Sequence, residues 1–341
     1  MKISKFLAFL PLLALAGCNS SAPVDNAASN AVSAAPAKEF KVALLTPGDV
    51  NDQGWNQLAY EGLKGVEAKT GAKISHQVTK NASDRQPAMR DYADQGYNLV
   101  ICHGFEFGND AKAIAPDFAQ TRFVVVAGNV KQNPNVATLV PKLEDAAYLC
   151  GMAAGGVSKS GVVGLIGGGK FPVIQSTFDA FADGARATNP KIKVLTGYVG
   201  DFEDQNKGRE IARSQISQGA DVLFHNADQA GKGMFQAAQD AKTAGKTVYV
   251  FGSNRNQNAV APDVTLGSAV IEMPRAFEDV ANSVKNSTFK PEFVELNLKN
   301  KTIQVAWNAA LKSKVPAAVM QKIDAAQKAI EGGKLNIKRK V

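Results

Sequence analysis

Histidine and cysteine are scarce, three of each in 341 residues, and neither is spaced for chemistry. Cys18, Cys102 and Cys150 are too few for a disulfide-stapled fold, and their spacing fits no zinc pattern. His76, His103 and His225 form no HxxxH or HxxE pair, so no metal is expected. No G-x-S-x-G elbow occurs, and acidic pairs such as Glu144-Asp145 and Glu203-Asp204 read as solvated helix ends or turns. Catalysis is therefore not expected. Lys and Arg exceed Asp and Glu by 39 to 31, but they form no block, which argues against a nucleic-acid partner. Residues 164–170 (GLIGGGK) nearly copy a phosphate loop, yet Phe171 stands where Ser or Thr would bind magnesium. That segment reads instead as a tight turn bringing backbone to a cleft. No cofactor is implied.

What is present begins with an address. Lys2 and Lys5 precede an apolar run at 6–16 (FLAFLPLLALA), too short to span a ~30 Å hydrocarbon core. The run ends Leu15-Ala16-Gly17-Cys18, which matches a bacterial lipobox. Residues 1–17 are expected to be an export signal and Cys18 the lipid-bearing residue; an ordinary cleavage site holding a cysteine is the alternative. Residues 19–38 are mostly Ala, Ser, Asn and Pro and cannot bury enough surface to order themselves, so 18–38 reads as a lipidated Cys and flexible tether. The folded part should work outside the cytoplasm, anchored to the membrane by lipid and facing the periplasm or the cell surface. That excludes an ATP- or nicotinamide-dependent enzyme. No later segment is long and apolar enough to span a bilayer.

The remaining chain alternates two patterns. Short β-branched runs recur at 41–46, 98–103, 122–127, 161–167, 193–198, 221–225 and 247–252. Helical patterns lie between them at 55–70, 86–95, 174–188, 206–218 and 231–244. Near-continuous apolar strands are those of parallel sheets covered on both faces. The pattern runs twice about a Gly-rich joint near 151–161, which predicts an α/β fold of two doubly wound, Rossmann-like lobes. His76 falls on a surface strand; His103 and His225 end strands, as ligand contacts or as satisfied strand-end residues. Cys102 and Cys150 read as buried small hydrophobes, with a disulfide as the alternative in an oxidising compartment.

In such sheets the loops at the carboxyl ends of strands form the ligand crevice, and two facing lobes share one cleft. Those loops are rich in Asp, Asn and Gln, interleaved with Trp55, Phe105, Phe107, Phe171 and Phe202. Aromatic faces with amide and carboxylate edges suit a planar, uncharged, hydrogen-bonding ligand. A sugar stacked on an aromatic face would use the same residues, so both classes stand at this point.

Several segments carry a resemblance. They are Asn51-Asp52-Gln53-Gly54-Trp55-Asn56-Gln57 with Glu61-Gly62, then Gly104-Phe105-Glu106-Phe107, and Pro172-Val173-Ile174 with Phe181 and Gly184. Tyr198-Val199-Gly200-Asp201-Phe202-Glu203-Asp204, Gly219-Ala220-Asp221-Val222 and Gly231-Lys232-Gly233 complete the set. Their order and spacing over about residues 40–310 resemble the basic membrane protein family, solute-binding lipoproteins of ABC importers whose best-known member is a purine nucleoside receptor. The resemblance implies a type I periplasmic binding protein fold, an N-lobe of 39–155 plus 267–287, and a C-lobe of 156–266 plus 288–341. It implies a monomer that closes by hinge bending on a purine ligand and delivers it to an ABC permease and ATPase. Trp55 and Phe202 match the two aromatics that sandwich the purine, and Asp52 and Asn56 the first-loop contacts. Asn109, beside Asp110, falls in the register of a base-reading Asp; Asn226 and Asp228 lie on the facing loop.

Two positions depart from the family pattern. Gly-Val-Asp-x-Asp-Gln, whose first Asp holds ribose, appears as Gly252-Ser253-Asn254-Arg255-Asn256-Gln257. A Ser-x-x-Lys whose Lys also reaches ribose appears as Ser268-Ala269-Val270-Ile271. The expectation drawn from these is that the protein tolerates or prefers a free purine base, or a differently substituted ring, over the nucleoside. Another small solute on the same fold, a ligand-sensing surface lipoprotein and a secreted enzyme are the rival classes.

Overall fold

A computed structural model describes residues 39–339; the expected export signal, Cys18 and the tether to residue 38 lie outside the described residues. The first strands and helices alternate as far as β4, which β5 follows directly: β1 (Lys41–Thr46), α1 (Trp55–Thr70), β2 (Lys73–Val78), α2 (Ala82–Asp94), β3 (Leu99–His103), α3 (Gly108–Ile114), β4 (Arg122–Val126) and β5 (Val136–Pro141). There follow α4 (Leu143–Val157), β6 (Val162–Gly167), α5 (Pro172–Thr188), β7 (Lys193–Tyr198), α6 (Gln205–Ser217), β8 (Val222–Asn226), α7 (Asp228–Thr243), β9 (Tyr249–Asn254) and β10 (Thr265–Ile271). The last elements are α8 (Met273–Lys285), β11 (Phe293–Leu296), β12 (Ile303–Trp307) and α9 (Ala317–Glu331).

Each set of strands makes one six-stranded sheet. The first runs β11-β5-β4-β3-β1-β2, with every pairing parallel. The second runs β12-β10-β9-β8-β6-β7, parallel except where β12 lies antiparallel on β10. Central strands are apolar on both faces because helices cover both: all of β3 and β10 is buried. The largest core cluster joins Leu44, Leu63 and Phe277 of the first lobe to Phe181, Phe224 and Phe251 of the second. Burying each such side chain stabilises by roughly 1.5–3 kcal/mol.

The chain passes between the sheets three times, at different places from those expected. β5 ends the first passage, and α4 already packs on α5, α9 and the second sheet. β10 pairs with β9 and β12, so it belongs to the second sheet, while α8 returns to pack on α1. β11 extends the first sheet at β5 before β12 joins the second. The lobes are thus about 39–141 with 272–297, and 143–271 with 298–339. The crossing segments bond to one another, Lys142 N to Leu296 O at 2.7 Å and Glu272 N to Thr302 O at 2.8 Å.

The expected Gly-rich joint is a helix interior. Gly151 and Gly155 lie in α4, where an added Cβ would stand 2.0 Å from Phe181 O and 2.2 Å from Ala185 O of α5. Gly184 of α5 meets Tyr148 O at the same 2.0 Å. These glycines let two helix backbones touch. Cys102 and Cys150 are buried free thiols, in β3 and α4, and do not pair. Glu144 and Asp145, expected to be solvated, are also buried. Arg339 pairs with Glu144, and Asp145 accepts from Leu298 N at 3.4 Å across a crossing.

Candidate functional site

In each sheet one strand has neighbours that leave it in opposite directions: β1 between β2 and β3, and β6 between β7 and β8. Loops diverging at such a switch point leave a crevice at the carboxyl ends of the strands. Here the crevices face each other and enclose one cavity of about 310 Å³, at the small end of the range for small-molecule sites. Its walls come from the loop after β1 (Pro47, Gly48, Trp55, Asn56), the turn after β3 (Gly104, Phe105, Glu106) and the segment 201–203. Asn226, Asp228 and Asn254 line it from the second lobe, Pro141, Leu143 and Ile271 from the crossings, and Arg339 from the segment after α9.

The aromatic groups are layered. The Trp55 ring stacks on the His103 imidazole, with centroids 3.9 Å apart and 28° between planes. His103 is fully buried and its Nε2 donates to Trp55 O at 3.0 Å, so one imidazole fixes both the backbone and one ring face of Trp55. Opposite, Phe202 stacks on Phe171 at 6.0 Å and 11°. Phe171 in turn meets Phe105 of the other lobe at 5.3 Å. Gly168 makes room for Phe202: a Cβ there would stand 2.3 Å from its ring. The near-phosphate-loop is therefore a seat for an aromatic ring.

The polar groups divide into braces and free edges. Asp52 is buried and accepts from Gly54 N, Asn56 N, Asn56 Nδ2 and Gln57 N at 2.7–3.0 Å. It satisfies the free amides that begin α1 and does not line the cavity. Asn56, oriented by that carboxylate, keeps an unpartnered Oδ1 in the wall. Asp228 accepts from Asn254 Nδ2 at 3.2 Å, and Asn254 Nδ2 also reaches Asn226 Oδ1 at 3.4 Å. Burial, with Asp52 nearby, pushes the Asp228 carboxyl up to about 8, so at neutral pH it carries a proton. His103 and His225 are driven down by burial, to about 3 and about 4, and stay neutral. His225 Nε2 donates to Gln257 Oε1 at 2.8 Å, and Gln257 Nε2 donates across the cleft to Gln53 O at 3.0 Å.

Four non-glycine residues around the cleft hold positive φ: Gln53 at 55°, Ala127 at 61°, Asp228 at 44° and Asn254 at 67°. Such conformations cost of order 1–3 kcal/mol each and gather where a site needs a fixed shape. The lobes touch over the mouth of the cleft: Arg255 Nη2 bonds Glu61 Oε1 at 2.6 Å and Lys232 Nζ reaches Asn51 O at 3.3 Å. The lobes are closed on one another.

Of the expected ligand residues, the fold brings Trp55, Asn56, Phe105, Phe202, Asn226, Asp228 and Asn254 to the cavity. Asp52 stands one layer behind. Asn109 does not reach it, because the chain past Phe107 continues as α3 and turns Asn109 to solvent. Asp110, its neighbour, is held by Gln86 Nε2 at 2.8 Å. Phe107 points into the core. The sequence reading missed His103 as the support of Trp55, the crossing residues Pro141 and Leu143, and Arg339. Only the strand-end position of His103 signalled its role; Arg339 had no local signal. Among the described residues no group of His, Cys, Asp and Glu could hold a metal, and no helix is long and apolar enough to cross a membrane.

Comparison with known proteins bears directly on this cleft. The nucleoside-binding protein BmpA of an ABC transporter in Lactococcus lactis is 28% identical over 336 residues, covering 93% of this chain and 94% of that one. A solute-binding protein of an ABC transporter system from Conexibacter woesei superposes with a TM-score of 0.73 at 26% identity, covering 88% of this chain and 99% of that one. A solute-binding protein from Aeropyrum pernix shares the fold, with a TM-score of 0.77 at 19% identity and coverage of 87% and 92%. The family model described as ABC transporter substrate-binding protein, PnrA-like, matches residues 39–338. The chain belongs to this family of ABC transporter substrate-binding proteins, whose members bind solutes for a permease and ATPase rather than act as enzymes.

Proposed function

We propose that the solute is a purine, held flat between Trp55 and Phe202 and read at its edges by Asn56, Asn226, Asp228 and Asn254. The single observation that carries this is that two rings from opposite lobes line one cavity of about 310 Å³, each stacked with a further ring, Trp55 with His103 and Phe202 with Phe171. Stacked rings cost little further ordering when a planar ligand arrives, and stacking contributes ~1–3 kcal/mol per base. The protonated Asp228 offers a donor, Asn56 Oδ1 an acceptor, and the amides both. A purine edge alternates donors and acceptors in that manner. The nucleoside-binding name of the Lactococcus relative supports the same class.

Within that class we favour the free base. Asn254 and Ile271 both line the cavity, at positions where the family resemblance implies an Asp and a Lys on ribose. Each missing polar partner costs ~1–3 kcal/mol. Export by residues 1–17, a lipid on Cys18, a tether to residue 38, a monomeric state and hinge-bending delivery to the permease belong to the same proposal.

The test is calorimetric titration of residues 39–341 with adenine, hypoxanthine, guanine, xanthine, their nucleosides, and ribose, arabinose and galactose. Micromolar binding of purines, bases ahead of nucleosides, is expected, with a loss of ~5- to 150-fold in Phe202→Ala. Binding of a sugar with no response to any purine would contradict the proposal.

A further inference from the structure

Resting on the reading of the cleft as a purine site, we propose that Arg339 is a specificity-determining ligand contact. Its guanidinium closes the hinge end of the cleft and donates to an oxygen acceptor of the bound purine. The family model matches residues 39–338 and does not extend to Arg339.

Four observations carry the inference. Arg339 lines the cavity beside Pro141, Leu143 and Ile271, the residues of the crossings. It is the only cationic residue among the described residues lining that cavity, where Glu106, Asp201, Glu203 and Asp228 supply four carboxyls. An acceptor oxygen entering that wall therefore has one charged donor to meet, and hydrogen bonds to a charged group are about twice as strong as neutral ones.

The guanidinium is also fixed in place. Nε donates to Glu144 Oε1 at 2.6 Å, and Nη2 to Glu144 Oε2 at 3.1 Å and to Pro141 O. Glu144 is only 1% exposed, against 24% for Arg339, so the pair is anchored from the buried side. Pro141 ends the first sheet and Glu144 sits in the first turn of α4, so the arginine bridges both sides of the first crossing. The segment after α9 that delivers it is itself seated: Ile337 is buried and Leu335 packs on the core.

The last observation is what the pairing leaves over. A guanidinium has five N–H donors in a planar fork. Glu144 and Pro141 engage Nε and Nη2 only, and Nη1 has no partner among the described residues. Arg339 thus lines the cavity while keeping donors that neither Glu144 nor Pro141 uses. The shared ligand chemistry is an oxygen acceptor, on the ring as a 6-oxo group or on the sugar as a hydroxyl.

The experiment is a calorimetric comparison of wild type, Arg339→Ala and Arg339→Lys over hypoxanthine, adenine, inosine and adenosine. Two ratios are read: 6-oxo against 6-amino, and nucleoside against base. The expected result is a change of at least tenfold in one ratio for Arg339→Ala, with partial retention in Arg339→Lys. The oxo ratio moves if the contact is the ring oxygen, and the nucleoside ratio moves if it is a ribose hydroxyl. A loss of affinity equal within twofold across all four ligands, or no loss, overturns the inference, because a purely structural bridge moves no ratio. If Arg339→Ala fails to fold with Glu144 unpaired, Arg339→Ala combined with Glu144→Gln removes the buried charge and yields the same ratios. Wild type silent to all four purines refutes the purine reading itself, a result distinct from unchanged ratios.

Discussion

Trp55 owes its position to a histidine that never meets solvent. His103 gives one ring face to the indole and one N–H to its carbonyl, and with its value near 3 it does so at any physiological pH. Asp228 behaves oppositely. A carboxyl near 8 when folded, against ~3.9 when unfolded, takes up a proton on folding. The folded state then binds more protons than the unfolded between pH 4 and 8, so its contribution to stability falls as pH rises through that window. Asp145, raised to about 6 by burial, acts in the same sense but is spent by pH 6. The histidines act below ~6.5, where stability is lost as pH falls. From pH 6.5 to 8 Asp228 therefore stands alone: the thermal midpoint should decline there in wild type and stay nearly level in Asp228→Asn. An equal decline in both would show that Asp228 is not the proton carried. At this scale the aromatics were legible in the sequence, since a Trp after Gly54 in a polar stretch has few uses. The braces were not. Asp52 reads as a ligand contact in any loop of Asp and Asn, and only the four amides converging on it reveal its work on α1.

At the scale of elements, strands and helices followed local pattern. The run 41–46 is β1 and the pattern 55–70 is α1, because apolar continuity and 3.6-residue periodicity report burial directly. What failed was glycine. The residues 151–161 look like a flexible joint because glycine loosens an isolated chain, yet α4 uses Gly151 and Gly155, and α5 uses Gly184, to bring two backbones into contact. The information is in the partner helix, not in the local run. Gly184→Ala, whose Cβ would sit 2.0 Å from Tyr148 O, should destabilise the fold by ~1–3 kcal/mol by overpacking. Urea unfolding measures this. A midpoint equal to wild type would mean that the α4–α5 contact is looser than described. The edge strands β11 and β12 and the buried β10 escaped for a related reason: strands of four to seven residues with polar side chains among them fit either sheet, and pairing partners alone decide.

For the whole molecule, the passages between sheets matter most, since they join the two lobes and form part of the cleft wall at once. Pro141, Leu143 and Ile271 line the cavity from those passages, and Lys142, Glu272, Leu296 and Thr302 tie them together. Two lobes and a cleft were readable from the doubled strand–helix rhythm, but the passage points were not, because nothing local distinguishes a strand that stays from one that crosses. Closure brings Arg255 to Glu61 and Gln257 to Gln53. The Arg255–Glu61 ion pair is half-buried, and a partly solvated pair of this kind contributes little, of order 0.2–1 kcal/mol. The chain has two tryptophans, Trp55 and Trp307, and the second lies in β12 beside Phe251. Replacing Trp307 by Phe leaves Trp55 as the sole emitter, and titrating that variant with hypoxanthine, adenine and inosine asks the central question directly. Saturable quenching at micromolar purine, with none from ribose or galactose, is the predicted result. A folded variant whose Trp55 emission ignores every purine up to millimolar concentration would contradict a purine stacked in this cleft.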